Sequence, residues 1–210
     1  MTKPEDNTCQ PMDGFGPEQM ARLADFIYEA GMLRKTPRTG YQFLGSGKEN
    51  VAEHSFRAAI IGYTLARMAG ADPMKTLLLC LVHDFHEART GDFNYVNYLY
   101  NSSKSRLAMQ DACEGTGLEG ELMAAWDEQD SEETLESRLA HDADQLDLIF
   151  NLVQEGALGN AYAAKWLASA VERLITKEGK ALALSASETD PTRWWFMNPS
   201  SEWWITRQKK

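Results

Sequence analysis

The dipeptide His83-Asp84 closes a six-residue apolar run, Leu77 to Val82. A charged pair at the end of so apolar a segment needs a partner, because an unpaired buried charge costs several kcal/mol. His54 stands on a second segment rich in apolar residues. A third segment, AHDADQLD, offers Asp142, Asp144 and Asp147. Imidazole nitrogens and carboxylate oxygens are good ligands for zinc, manganese, cobalt or iron. His54, His83, Asp84 and one of the later aspartates thus form a candidate divalent-metal set. Asp144 has rivals in Asp142 and Asp147, and Asp147, three residues on, shares its helix face. Glu87 follows His83 by four residues and Asp84 by three, which puts it on their side of a helix. A carboxylate beside a metal-bound water can move protons during hydrolysis. Asp92 is a further polar group near the same end. His86 and His141 read as exposed or supporting histidines rather than ligands.

Elements of helical period must carry these residues. Apolar spacing from Met20 to Met32, with Pro17 in a first turn, predicts a helix over residues 17–34. Residues 35–50 read as a loop with Lys35, Arg38 and Lys48 against Glu49. Asn50 can cap a helix over 51–69 that is apolar on every face and therefore expected to be buried. Asp72-Pro73 opens another central helix, expected to run from 73 to 89. Residues 93–117 are mixed, and 118–129 form a short helix. The acidic run from Asp127 to Glu136 reads as a solvated segment that starts a long helix reaching Glu155, with Leu139, Ala143, Leu146 and Ile149 on one stripe. Asp142 reads as solvated. A last helix spans about 160–177. No two-residue alternation, repeat or low-complexity tract is found. The expected fold is all-α, a bundle of about six or more helices.

Composition narrows the function. The chain has 210 residues with 31 acidic and 21 basic side chains, a net charge of −10. Nucleic-acid backbones select basic surfaces, so a nucleic-acid partner is not expected. The longest apolar run is far short of the about 20 residues of a spanning helix. The polar start, MTKPEDNTCQPMDGFG, has no apolar signal core. Cys9, Cys80 and Cys113 make no CxxC pair. The expectation is a reduced, cytoplasmic protein.

The motifs ENVAEHS, LVHDFHEARTGD and AHDADQLD, in this order, resemble the HD-domain metal-dependent phosphohydrolases with their H…HD…D pattern. The upstream PRTGY is similar to the PRTGW loop of the 5′-deoxynucleotidase branch. The resemblance spans about residues 17–155. It implies one divalent ion (Mn, Co, Zn, Fe or Mg) held by His54, His83, Asp84 and Asp144, with Glu87 as catalytic acid/base. It further implies that Arg38 binds the substrate phosphate and Asp92 contacts the sugar. The implied reaction removes the 5′-phosphate of (deoxy)ribonucleoside monophosphates, and the implied assembly is a homodimer. Bacterial members carry a tryptophan after the matching arginine, where this chain has Thr39. The expected organisation is a flexible arm over 1–16, an HD-type domain over 17–180 and a tryptophan-rich extension over 181–210. That extension, with Trp194-Trp195 and Trp203-Trp204, is expected to pack on the helices or on a second subunit.

Overall fold

The computed structural model describes residues 15–196. Most of the expected N-terminal arm, and residues 197–210 of the extension with Trp203-Trp204, lie outside the described residues. Those described form α-helices joined by turns, with an isolated antiparallel bridge between Pro37 and Asn50 and no strand. None of their helices is long and apolar enough to cross a membrane.

Helix α1 (Pro17–Ala30) begins with Pro17 at its first position and runs into a 3₁₀ turn, Gly31–Lys35. A short α2 (Tyr41–Leu44) follows. Helix α3 (Val51–Ala69) starts from a capping box: the Asn50 side chain accepts from Glu53 N, and the Glu53 carboxylate accepts from Asn50 N. Such reciprocal bonds satisfy two otherwise orphaned donors. Gly70, at φ +72°, ends α3 in the left-handed conformation a glycine adopts without steric cost. Helix α4 (Pro73–Val82) is capped by Asp72, which accepts from Met74 N and Lys75 N. The short α5 (Glu87–Thr90) and α6 (Tyr95–Tyr100) come next, then α7 (Ser105–Cys113) and α8 (Glu119–Ser131). The long α9 (Leu135–Ala157) is capped by Thr134, and α10 (Ala163–Glu172) and α11 (Lys177–Glu188) are the last described helices.

Helices α3, α4 and α9 form the centre. Leu65, Leu79, Leu139, Leu146 and Ile149 are fully buried there. Close approach of α3 and α4 depends on Gly62, where an added Cβ would stand 2.5 Å from Cys80 Sγ. The acidic run is less solvated than its composition suggests. Glu128 pairs with Lys75 and Glu136 accepts from Asp72 N, so the run ties the start of α9 to the start of α4.

Four expectations need correction. Helix α3 is not buried on every face, because Phe56, Ile60 and Met68 are at least half exposed. Residues 73–89 are not one helix. After Val82 the ladder tightens to i→i−3 bonds, Phe85 N to Val82 O and Glu87 N to Asp84 O, before α5 starts. Asp142 is not solvated but fully buried, and its carboxylate accepts from Ile175 N and Thr176 N, both at 2.8 Å. The expected helix over 160–177 is the shorter α10, which ends at Glu172, and the segment held by those two bonds leads into α11 at Lys177. Thr176 then caps α11.

Candidate metal centre

His54 comes from the first turn of α3, His83 and Asp84 from the tight turn after α4, and Asp144 from the third turn of α9. Their ligating atoms converge. His54 Nε2 lies 3.2 Å from His83 Nε2 and 3.1 Å from Asp144 Oδ1. Asp84 Oδ2 lies 3.2 Å from His83 Nε2 and 3.5 Å from His54 Nε2. A divalent ion with ligands at about 2.1 Å holds neighbouring ligand atoms roughly 3.0–3.4 Å apart.

Both rings are oriented from behind. His54 Nδ1 donates to Asp147 Oδ2 at 2.7 Å, and His83 Nδ1 donates to the Cys80 carbonyl at 2.7 Å. Each acceptor requires the proton on Nδ1, which turns the Nε2 lone pairs toward each other. Two lone pairs at 3.2 Å repel unless a proton or a metal cation sits among them. This carboxylate–histidine arrangement is the usual support for a metal-binding imidazole. His54, His83 and Asp144 therefore stand close enough to share one divalent cation, with Asp84 Oδ2 beside them at 3.2 Å from His83 Nε2.

The titration behaviour of the cluster follows from the same contacts. Burial and Arg38 oppose a charge on His54, but Asp144 and Asp147 outweigh them and push its pKa up to about 10. Burial raises Asp84 and Asp144, yet the neighbouring histidines and Arg38 hold both well below the usual carboxylate range. Glu87 goes the other way. Burial, then the charges of Asp84 and Asp92, push its carboxyl up to about 10. Glu87 is 4% exposed, and its Oε2 has no hydrogen-bond partner.

Arg38 reaches this cluster from a cinched loop. Arg38 N donates to Glu49 O, and Val51 N donates to Thr36 O, so both ends of the 36–51 segment are tied together. Its guanidinium lies 2.9 Å from Asp84 Oδ2, 3.4 Å from Asp92 Oδ1 and 3.7 Å from Asp144 Oδ1. Thr39 grips Asp92 through its backbone N–H and its hydroxyl. Gly40 rests on Trp166 of α10, where an added Cβ would meet the indole at 2.8 Å. Arg38, Asp84, Glu87, Asp92 and Asp144 thus line one cavity of about 810 Å³, with His54 and His83 against Asp84 and Asp144. Lys48 is exposed and does not line it. His86 packs on Trp126, and His141 pairs with Glu132, away from the cluster.

The sequence missed several supporting residues. Arg57 and Glu49 join Asp147 in an ion-pair network behind His54. Glu49, His54 and Asp147 also stand close enough to hold an ion, but the Arg57 guanidinium already supplies the positive charge there. Trp126 Nε1 donates to the His83 carbonyl. Gln145 donates to Asp144 Oδ2 at 2.7 Å, and its own Oε1 is buried without a partner. Only Asp147 carried a signal, its three-residue spacing from Asp144.

Comparisons with known proteins agree with this arrangement. Residues 30–183 match the HD domain family. The chain is 25% identical over 136 residues to 5′-deoxynucleotidase HDDC2 of Danio rerio, across 62% of this chain and 68% of that one. In three dimensions it is similar to a conserved hypothetical protein from Pyrococcus furiosus, with a TM-score of 0.67 and 26% identity. That match covers 79% of this chain and 99% of the other. A predicted metal-dependent phosphohydrolase from Magnetospirillum magnetotacticum shares the fold at TM-score 0.64 and 21% identity, over 81% and 94% of the two chains. A match over most of the length, anchored on histidines and aspartates that converge in space, makes this chain a member of the HD domain family.

Proposed function

We propose that the protein is a metal-dependent phosphohydrolase that removes the 5′-phosphate of nucleoside monophosphates, deoxy forms among them. The observation that carries the reading is the convergence of two Nε2 atoms and two carboxylates beside an arginine and a partnerless buried glutamate. The similarity to proteins named 5′-deoxynucleotidase supports the choice of substrate.

His54, His83, Asp84 and Asp144 would hold one divalent ion. When bound, that ion polarises water and phosphate together. Arg38 presents a planar guanidinium suited to phosphate oxygens. Beside a bound divalent cation Glu87 would be drawn into its carboxylate form, and in that form it would take the proton of the attacking water. The water oxygen bonds to phosphorus, the bond from phosphorus to the 5′-oxygen breaks, and the proton passes from Glu87 to that leaving oxygen. Inorganic phosphate and a nucleoside result. Asp92 keeps Oδ2 on Thr39, and its Oδ1, which faces Arg38 at 3.4 Å, has a second lone pair to accept from a sugar hydroxyl.

The test is orthophosphate release from deoxy- and ribonucleoside 5′-monophosphates with Mn²⁺, Co²⁺, Zn²⁺ or Mg²⁺. Release that a chelator abolishes is expected. A protein that binds these ions yet releases no phosphate from any monophosphate refutes the reading.

A further inference from the structure

The lining of the cavity combines two chemistries. One is charged, from Arg38, Asp84, Glu87 and Asp144. The other is aromatic, from Phe43, Phe93, Tyr95 and Tyr98. The aromatic wall is unusual in how it is built. Helix α6, YVNYLY, has no buried residue at all. Tyr95 is 70% exposed, Tyr98 55% and Phe43 43%. A surface helix ordinarily buries an apolar stripe. Here residues three apart, Tyr95 and Tyr98, both turn toward the cavity instead.

The rings touch each other without covering their faces. Phe43 meets Tyr95 at a centroid distance of 5.5 Å with planes tilted 44°. Phe93 meets Tyr98 edge-on at 5.7 Å. Neither contact is a parallel stack, so ring faces stay available. Their position is nonetheless fixed relative to the charged residues. The buried Asn94 side chain accepts from Val96 N and Asn97 N, and the Asn97 side chain accepts from Asn94 N. Two residues before this capping box, Asp92 is held by Thr39, the neighbour of Arg38.

We propose that Phe43 and Tyr95, flanked by Tyr98, form a stacking platform for the nucleobase of the substrate whose phosphate lies at the charged residues. This rests on the nucleotidase reading above. Stacking offers a planar group a π-face irrespective of its hydrogen-bonding edge. The volume of about 810 Å³ lies within the range of small-molecule sites and leaves room for a base beyond the sugar.

The experiment compares 2′-deoxyadenosine 5′-monophosphate with 2-deoxyribose 5-phosphate, which lacks the base, on the Mn²⁺-loaded full chain. KM is read where a ligand is hydrolysed, and the dissociation constant by calorimetry where it is not. The wild type is expected to favour the nucleotide by about fivefold to a hundredfold. Tyr95→Ala and Phe43→Ala should bring that ratio toward one by weakening the nucleotide alone. Tyr95→Phe, which keeps the ring, should retain it. Equal affinity in the wild type, no binding of either ligand, or equal weakening of both in the alanine variants overturns the platform. A nucleotide that binds with the expected preference but is not hydrolysed leaves the platform standing and sinks the nucleotidase reading.

Discussion

Replacing Glu87 by Gln should inactivate the enzyme and stabilise its metal-stripped form. Glu87 is buried, its Oε2 lacks a partner, and its pKa is pushed up to about 10. In the unfolded chain a glutamate ionises near pH ~4.3. Above that pH the unfolded chain gives up the proton while the metal-free native state keeps it. The unfolded state is therefore favoured progressively as pH rises from about 4.3 to the folded value near 10. At pH 8 the penalty is on the order of 3 kcal/mol, once relaxation of the buried site beside Asp84 and Asp92 is discounted. Gln has the same shape and no charge to desolvate, and its amide can donate toward those carboxylates. For a chain of this length, that difference corresponds to roughly 6–12 °C in Tm. Differential scanning calorimetry of the chelator-treated proteins should show Tm values nearly equal at pH 5 and increasingly separated up to pH 9, with the Glu87→Gln variant the more stable. Turnover of the Mn²⁺-loaded variant should fall about 10²- to 10⁴-fold. A Tm difference that does not grow with pH refutes the electrostatic reasoning. Retained turnover refutes the proton-transfer role.

Metal binding should release protons, because His54, at about 10, is protonated in the metal-free state at neutral pH and must lose the Nε2 proton to coordinate. Calorimetric titration with Mn²⁺ in buffers of different ionisation enthalpy should show at least a partial proton released at pH 7 and affinity increasing toward pH 9; no buffer dependence contradicts this. Asp147→Asn should weaken metal affinity about 10- to 100-fold while leaving the fold intact, since it removes the charge behind His54 Nδ1. Unchanged Mn²⁺ affinity would show that the pair does not orient the ligand. Gly62→Ala should cost about 1–3 kcal/mol by pushing a methyl onto Cys80 Sγ. Urea unfolding should show Cys80→Ala restoring part of that loss in the double variant, and simple additivity would mean the two positions do not clash.

The proposed ligand set is legible from local facts together with the family resemblance, which singles out Asp144. His83-Asp84 follows an apolar run, His54 sits one turn into a capped helix, and Asp144 follows the core position Ala143 on a helix with a leucine-rich stripe. What stayed hidden depends on contacts far apart in sequence. The tight turn after Val82 contains no Gly or Pro before Gly91, so nothing local announces it. Its His83 carbonyl is satisfied by Trp126, 43 residues away. Asp142 looked like a surface acid because it lies in a polar stretch, yet it captures two backbone N–H groups 33 and 34 residues on. The backing network of Glu49, Arg57 and Asp147 is likewise assembled only when α3 meets α9.

The charge pattern also orders the events at the site. Asp84, Asp92, Asp144 and Glu87 face a cavity in which Arg38 is the nearest cation, on a chain of net charge −10. An anionic substrate entering that field alone is repelled. In the metal-free state Arg38 rests on Asp84 Oδ2 and near Asp144 Oδ1, the oxygens that also face His54 Nε2. A cation and this guanidinium thus compete for the same two atoms. A divalent ion held by those oxygens would offset the carboxylate charge and would leave Arg38 free to turn to a phosphate. On the proposed function, metal and substrate binding would be coupled positively through this one side chain, and reciprocally so: a bound phosphate that draws Arg38 away would leave the carboxylates more available to the ion.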